Sequence, residues 1–377
     1  MIKEIRDKLR AGCGLEHTGS RTPPWALVTG ALVAVSLYCA LVISPTPSSH
    51  IRLQLSGLNE HGKPYEIQDP RHSPSQPRSD PMHPPLLEHM FICITFHWDV
   101  LGLTLLRQAL TTISQYPTTV TLCIISNRPE LLRRTIKPWA AGADHFVCGT
   151  NQTLADALHL AFVHRQYMEQ AFTNPEFSSF MYLEHDMNVP WPALLGWAAD
   201  TPLLEPFGFQ RGFYRVEPSE ETGLPGLTDQ ISRVNISKYE RTVHIRYLDD
   251  ADRAKDKYFL QLPNPYFAVW VASRAQLAKF LRSKQWDERN TPWAVRAMAA
   301  CGLQFVDVPE GFFSAAVVPY TPGDPRGIVP PVLNPYAAIE HLSNKYCSAN
   351  TRKGASHDLG DQSALHCTVS AKDFLYA

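Results

Sequence analysis

The sequence predicts an α/β fold, a mixed but mostly parallel sheet flanked by helices, on three observations. From Phe91 onward, short unbroken apolar runs alternate with segments whose leucines and isoleucines recur at helical spacing, the pattern of a parallel sheet covered on both faces. Apolar residues make up 44% of the chain and aromatics 10%, enough for a large core and too much for a disordered or collagen-like chain. Gly-x-Gly-x-x-Gly, Gly-x-x-x-x-Gly-Lys and Gly-x-Ser-x-Gly are all missing from the sequence, so dinucleotide, P-loop and α/β-hydrolase chemistry have no support. Lysine and arginine total 35 against 36 Asp and Glu, and that balance gives no reason to expect a nucleic-acid partner.

The first element is a membrane segment. Nineteen residues from Trp25 to Ile43 carry no charge, and a helix of about 20 apolar residues spans a bilayer. Lys3, Arg6, Lys8, Arg10 and Arg21 precede it, whereas only Arg52 and Lys63 occur in the twenty residues that follow. The positive-inside rule therefore puts residues 1–24 in the cytosol and the rest in the lumen or outside. An apolar core longer than the roughly 7–15 residues of a cleaved signal peptide favours a retained anchor. Residues 44–90 read as a stem, because positions 45–90 hold nine prolines, six serines and one aromatic, too little apolar surface to repay ordering. A folded domain is expected over 91–377.

Within that domain Phe91–Phe96 reads as a strand, Leu101–Ile113 as a helix, and Thr119–Ile125 as a second strand ended by the turn-prone Ser126-Asn-Arg-Pro. Then come a polar helix over Glu130–Lys137, a short strand at His145–Cys148, and a long amphipathic helix from Leu154 to about Ala171. The run Phe180-Met-Tyr-Leu-Glu-His-Asp-Met is an apolar strand that stops on Glu184-His185-Asp186 before Pro190 opens another helix. Asp249–Asp252, flanked by Arg246, Arg253 and Lys255, reads as a charge-balanced turn. Beyond it the segment from Asn264 runs into a helix at Ala275–Leu281, and a further helix runs from Asp287-Glu288 to Ala300.

Six of the eight cysteines, Cys93, Cys123, Cys148, Cys301, Cys347 and Cys367, follow the apolar segment. An even number suits an oxidising compartment, but Cys93 and Cys123 sit in apolar strands as buried thiols do. No Cys/His cluster has zinc spacing. Sequons at Asn151 and Asn235 agree with a luminal domain.

The chemistry concentrates where the Phe180 strand ends. Carboxylates two positions apart can both reach the mouth of the sheet once the chain leaves strand geometry. Hard oxygen ligands there suit Mg²⁺ or Mn²⁺, which bridge to a substrate diphosphate; a solvated acidic turn has the same pattern. In this element order, Tyr182-Leu-Glu-His-Asp-Met resembles the acidic motif of type II membrane glycosyltransferases of the GT-A fold, a likeness covering about residues 91–345. The resemblance implies metal-dependent transfer of a sugar from a nucleotide-sugar donor to a luminal glycan or glycoprotein acceptor. Asp186 would then ligate the metal, and Glu184 would meet its water shell or the ribose. His185 stands where the commoner motifs are acidic. A Golgi membrane location is implied, with the endoplasmic reticulum as second choice.

The same resemblance assigns further roles, each beside a plain structural one. Arg165, on the helix before the acidic strand, is a candidate phosphate contact or an exposed helix arginine. His97 lies just past the first strand, where donor nucleotides dock, or belongs to a capped helix start. Tyr266 and Trp270 can stack on an acceptor sugar or serve as core aromatics. Glu288, and after it Asp287, are candidates for the general base that takes the acceptor's proton, although acids at a helix start are favoured by capping and the macrodipole alone. His341 is the C-terminal histidine that would complete the metal's ligands, and Lys345, four residues on in a short helix or irregular tail, would neutralise a phosphate oxygen. The alternative is a non-catalytic binding or scaffold protein on the same fold; glycoside hydrolysis by two carboxylates is a third reading.

Overall fold

Runs of β-branched, aromatic and aliphatic residues pair into a central layer, and helices cover both of its faces. The computed structural model describes residues 66–68, 84–136, 144–149, 157–218, 225–228, 241–248, 253–262, 265–287, 299–323 and 331–344. The expected membrane segment 25–43, most of the stem, Asn151, Asn235, Asp249–Asp252, Glu288, Lys345, Cys347 and Cys367 lie outside them. Among the described residues no helix is long and apolar enough to cross a membrane.

In chain order the first half comprises β1 (Glu66–Gln68), β2 (His89–Phe96), α1 (Val100–Ile113), β3 (Thr119–Ser126), α2 (Pro129–Ile136) and β4 (Asp144–Gly149). Next come α3 (His164–Phe172), β5 (Ser179–Glu184), β6 (Met187–Asn188), α4 (Trp191–Leu204), β7 (Gln210–Arg211), β8 (Tyr214–Pro218) and β9 (Pro225–Leu227). The remainder is β10 (Thr242–Leu248), β11 (Ala254–Leu260), β12 (Val269–Ser273), α5 (Arg274–Arg282), β13 (Ala316–Thr321), β14 (Val332–Leu333) and β15 (Ala338–His341).

The central sheet has the order β12-β5-β2-β3-β4, parallel throughout except for β12, which runs antiparallel on β5. Successive side chains of a strand point to opposite faces, and β2 shows why both are apolar. Met90, Ile92, Ile94 and Phe96 pack with Leu106 and Leu110 of α1, Leu132 of α2 and Leu194 and Trp197 of α4, whereas Phe91 and Cys93 pack with Met168 of α3 and Leu277 and Phe280 of α5. Cys93 and Cys123 are cross-strand neighbours in this core and, like Cys301, are buried thiols.

Two further sheets complete the described fold. One has the order β1-β10-β11-β13-β14, with β7 paired to β13; the other has the order β6-β15-β8-β9. In the latter, β15 lies antiparallel to β6 and parallel to β8, so His341 faces Met187 in register and Glu340 faces both Asn188 and Val216.

Three features depart from the sequence reading. The helix expected from Leu154 to Ala171 is a 3₁₀ segment, Ala157–Phe162, followed by α3. A three-residue strand, β1, falls within the stretch read as stem and pairs with β10. His341 lies on a strand, neither helical nor in an irregular tail, because two partners distant in sequence supply the hydrogen bonds that a strand needs.

Candidate functional site

Parallel β2 and β5 end side by side, with Thr95 opposite Glu184. After Glu184 the chain turns through His185 and Asp186 into β6, and the Leu342 N–H donates to the Asp186 carbonyl at 2.8 Å. That bond and the β6–β15 pairing bring the C-terminal strand back over the end of β5. His341 Nε2 thereby lies 3.3 Å from Asp186 Oδ2, and its Nδ1 is hydrogen-bonded to Glu217 Oε1 of β8. Ser343 Oγ is 2.8 Å from His341 Nε2. On the other side, the Tyr266 hydroxyl donates to Glu184 Oε1 at 2.8 Å, and the Arg215 guanidinium lies over the Tyr266 ring at 5.0 Å.

Glu184, Asp186, Arg215, Glu217 and His341 are each no more than 4% exposed. Buried charges are costly unless compensated. Among the described residues, the carboxyl groups of Glu184, Asp186 and Glu217 are buried with the Arg215 guanidinium and the His341 imidazole. Burial pulls the His341 pKa down, yet its hydrogen bonds to Asp186 and Glu217 outweigh burial and the nearby Arg215 charge, and the net shift is upward from 6.5.

A carboxylate oxygen and an imidazole nitrogen side by side fit a divalent cation beside Asp186 Oδ2 and His341 Nε2. Among the described residues no group of three or more His, Cys, Asp or Glu side chains could hold a metal alone. The geometry gives the reason: Glu217 engages the opposite nitrogen of the ring and does not converge on the same point. Mg²⁺ and Mn²⁺ sites need only one or two protein ligands when substrate phosphates and water supply the others.

The other expected residues are distributed as follows. Tyr266 reaches the cluster through Glu184. Trp270, expected on an acceptor sugar, is 1% exposed, donates from Nε1 to the Ala299 carbonyl, and packs among His164, Tyr182 and Phe280. It is a core aromatic, because its strand β12 is covered by α5 on that face. Arg165, expected on a phosphate, is also buried: its guanidinium lies over the Phe162, Phe280 and Trp286 rings and donates to the Trp286 carbonyl. The 3₁₀-to-α break before α3 turns it into this aromatic layer. His97 is exposed past β2, 3.1 Å from the Asn127 side-chain amide. Asp287 is half-buried and follows the 3₁₀ turn Lys284–Trp286, its N–H donating to the Lys284 carbonyl.

His185, which splits the acidic pair, packs edge-on against Phe96 at 5.2 Å between ring centroids. A Cβ on Gly102 would meet its Nε2 at 2.9 Å, so the first turn of α1 has room for this ring only because residue 102 is glycine. Sequence reading missed Glu217 and Arg215. They sit two apart in Tyr-Arg-Val-Glu-Pro, and that spacing places both on one face of a strand; two ionic residues on one face of an otherwise buried strand was the signal available.

No family model matches the chain and no curated protein is significantly similar to it. Among solved structures, the 4-diphosphocytidyl-2C-methyl-D-erythritol synthase of Anaerococcus prevotii aligns with a TM-score of 0.27 and 11% identity, over 55% of this chain and 80% of that one. A likeness this slight carries no statement about fold or activity.

Proposed function

We propose that the chain is a GT-A-fold glycosyltransferase that moves a sugar from a nucleotide-diphosphate sugar to a luminal glycan or glycoprotein, with Mn²⁺ or Mg²⁺ held by Asp186 and His341. In this reading it is a single-pass protein of the Golgi membrane, with the endoplasmic reticulum as second choice, anchored by residues 25–43. One observation carries the proposal: a strand-end carboxylate and an imidazole 155 positions away in sequence are buried side by side, 3.3 Å apart.

When bound, the cation neutralises the departing diphosphate. The chain's own residues bind and orient. Asp186 and His341 fix the position of the diphosphate end of the donor, and Tyr266 steadies Glu184 toward the ribose. His97 meets the nucleotide, and Lys345 a phosphate oxygen. As the acceptor oxygen bonds to the anomeric carbon and the bond to the diphosphate oxygen breaks, the acceptor's proton passes to Glu288 or Asp287, which makes the transfer a single inverting displacement.

The test is to incubate the full chain with a panel of nucleotide sugars, Mn²⁺ and glycan acceptors and to follow released nucleoside diphosphate. Turnover is expected with one donor class, and Asp186→Asn should lower it by about a hundredfold or more with the fold retained. Donor binding without turnover would favour the non-catalytic alternative, and acceptor-independent release of free sugar would favour hydrolysis.

A further inference from the structure

We infer that Glu217 is the positioning residue that keeps the His341 ring proton on Nδ1, so that Nε2 alone is turned toward Asp186 and a divalent cation beside it. This rests on the proposed metal reading of the site and adds to it a residue that the sequence reading gave no role.

Glu217 is fully buried on β8, and β8 and β15 run parallel, with Glu340 opposite Val216. The next pair along that register sets Glu217 beside His341, where Glu217 Oε1 meets Nδ1. An ionised carboxylate only accepts hydrogen bonds, so in the charged ring Nδ1 donates to Glu217 and Nε2 to Asp186, and a cation beside Asp186 displaces the Nε2 proton alone. Glu217 lies at Nδ1, Asp186 Oδ2 lies 3.3 Å from Nε2, and Ser343 Oγ is 2.8 Å from Nε2 and 3.5 Å from Nδ1. When the neutral ring keeps the Nδ1 proton, Nε2 is an acceptor, and the Ser343 hydroxyl can donate to it. In the charged ring both nitrogens carry protons, and the proton given up to a cation is the one on Nε2. Either way the lone pair emerges on the side of Asp186. A carboxylate behind a ligating histidine fixes the tautomer and the ring orientation of metal sites generally.

Glutamine at 217 preserves the shape but can turn either its oxygen or its amide N–H to Nδ1, so it no longer dictates the tautomer. The experiment compares the full chain, Glu217→Gln, Glu217→Asp and Asp186→Asn, with folding checked by thermal melting. Its first readout is ¹⁵N NMR of histidine-labelled, metal-free protein at a pH where the ring is neutral, with His341 identified by its loss in His341→Gln. The second is Mn²⁺ affinity by electron paramagnetic resonance of the free ion. Expected are a protonated Nδ1 in the parent, a mixed or Nε2-protonated ring in Glu217→Gln, and Mn²⁺ binding weakened there by about ten- to a hundredfold. Glu217→Asp should keep the Nδ1 proton and recover part of the affinity. A Glu217→Gln protein with the parent's tautomer and affinity overturns the inference. If Asp186→Asn also leaves Mn²⁺ binding unchanged, the metal reading itself fails, and the tautomer comparison alone then decides for or against Glu217.

Discussion

His164 is a buried histidine outside the Asp186 cluster, and its surroundings determine its charge. Its ring stacks on Tyr182 with centroids 4.0 Å apart, its Nδ1 lies 2.6 Å from the Ala161 carbonyl, and its Nε2 is buried without a hydrogen-bond partner. Burial first, then the Arg165 charge, hold its pKa well below 6.5, with the Ala161 carbonyl opposing. A depressed histidine pKa means that the unfolded chain takes up the proton first. Stability is therefore complete above about pH 6.5 and declines as pH falls below it, down to the folded-state pKa. Between pH 7 and 5.5 this one group should cost about 1 kcal/mol. His164→Phe, which keeps an aromatic ring in the stack, should show an unfolding free energy less sensitive to acid by that amount. Parallel pH dependences of parent and variant, in urea titrations, would rule this out. Arg165 beside it shows the limit of reading single residues: its type suits a phosphate, but only packing reveals that its guanidinium lies against Phe162 and Trp286.

At the scale of elements, α1 couples helix capping to the acidic turn. Asp99 caps the helix by accepting from the Gly102 N–H at 2.6 Å, and a Cβ at 102 would come within 2.7 Å of Asp99 Oδ2 and 2.9 Å of His185 Nε2. Gly102→Ala therefore gains helix propensity worth about 1 kcal/mol and loses a cap worth about as much, so its melting temperature should barely move. His185, however, sits between Glu184 and Asp186 and must shift. The expected outcome is a well-folded protein with at least about tenfold weaker Mn²⁺ binding or turnover; unchanged values would detach His185 from the site. The strands and helices of the central sheet were legible in the sequence because a strand buried on both faces is a nearly unbroken apolar run, as residues 91–94 and 180–183 are. The pairs β10–β11 and β6–β15 were not, since β11 opens on the consecutive charges Lys255, Asp256 and Lys257 and the other pair is too short to carry a period.

Over the whole molecule, what escaped the sequence is long-range closure. Asp186 was readable from its strand, but its nearness to His341 depends on β8, β6 and β15 pairing across more than a hundred residues, which no local pattern encodes. A buried ion cluster supports that closure. Asp200 of α4 accepts from Lys257 of β11 at 2.6 Å and from Arg211 of β7 at 3.4 Å, and Arg211 in turn donates to the Tyr336 carbonyl at 2.6 Å, two residues before β15 begins. Burial lowers the Arg211 pKa from its usual value and Asp200 opposes the shift, as expected of a cation that depends on its partner. Asp200→Ala should destabilise the protein by about 3 kcal/mol, because it strands a buried guanidinium, whereas Asp200→Ala with Arg211→Met should lose less than Asp200→Ala alone. Since Arg211 also tethers the entry to β15, the single variant should weaken Mn²⁺ binding at His341 even under conditions where it stays folded. Denaturant titrations and Mn²⁺ affinities of the three proteins test both halves. A single variant within about 1 kcal/mol of the parent, or a double variant that loses at least as much as it, would show that the cluster does not hold the C-terminal strand in place.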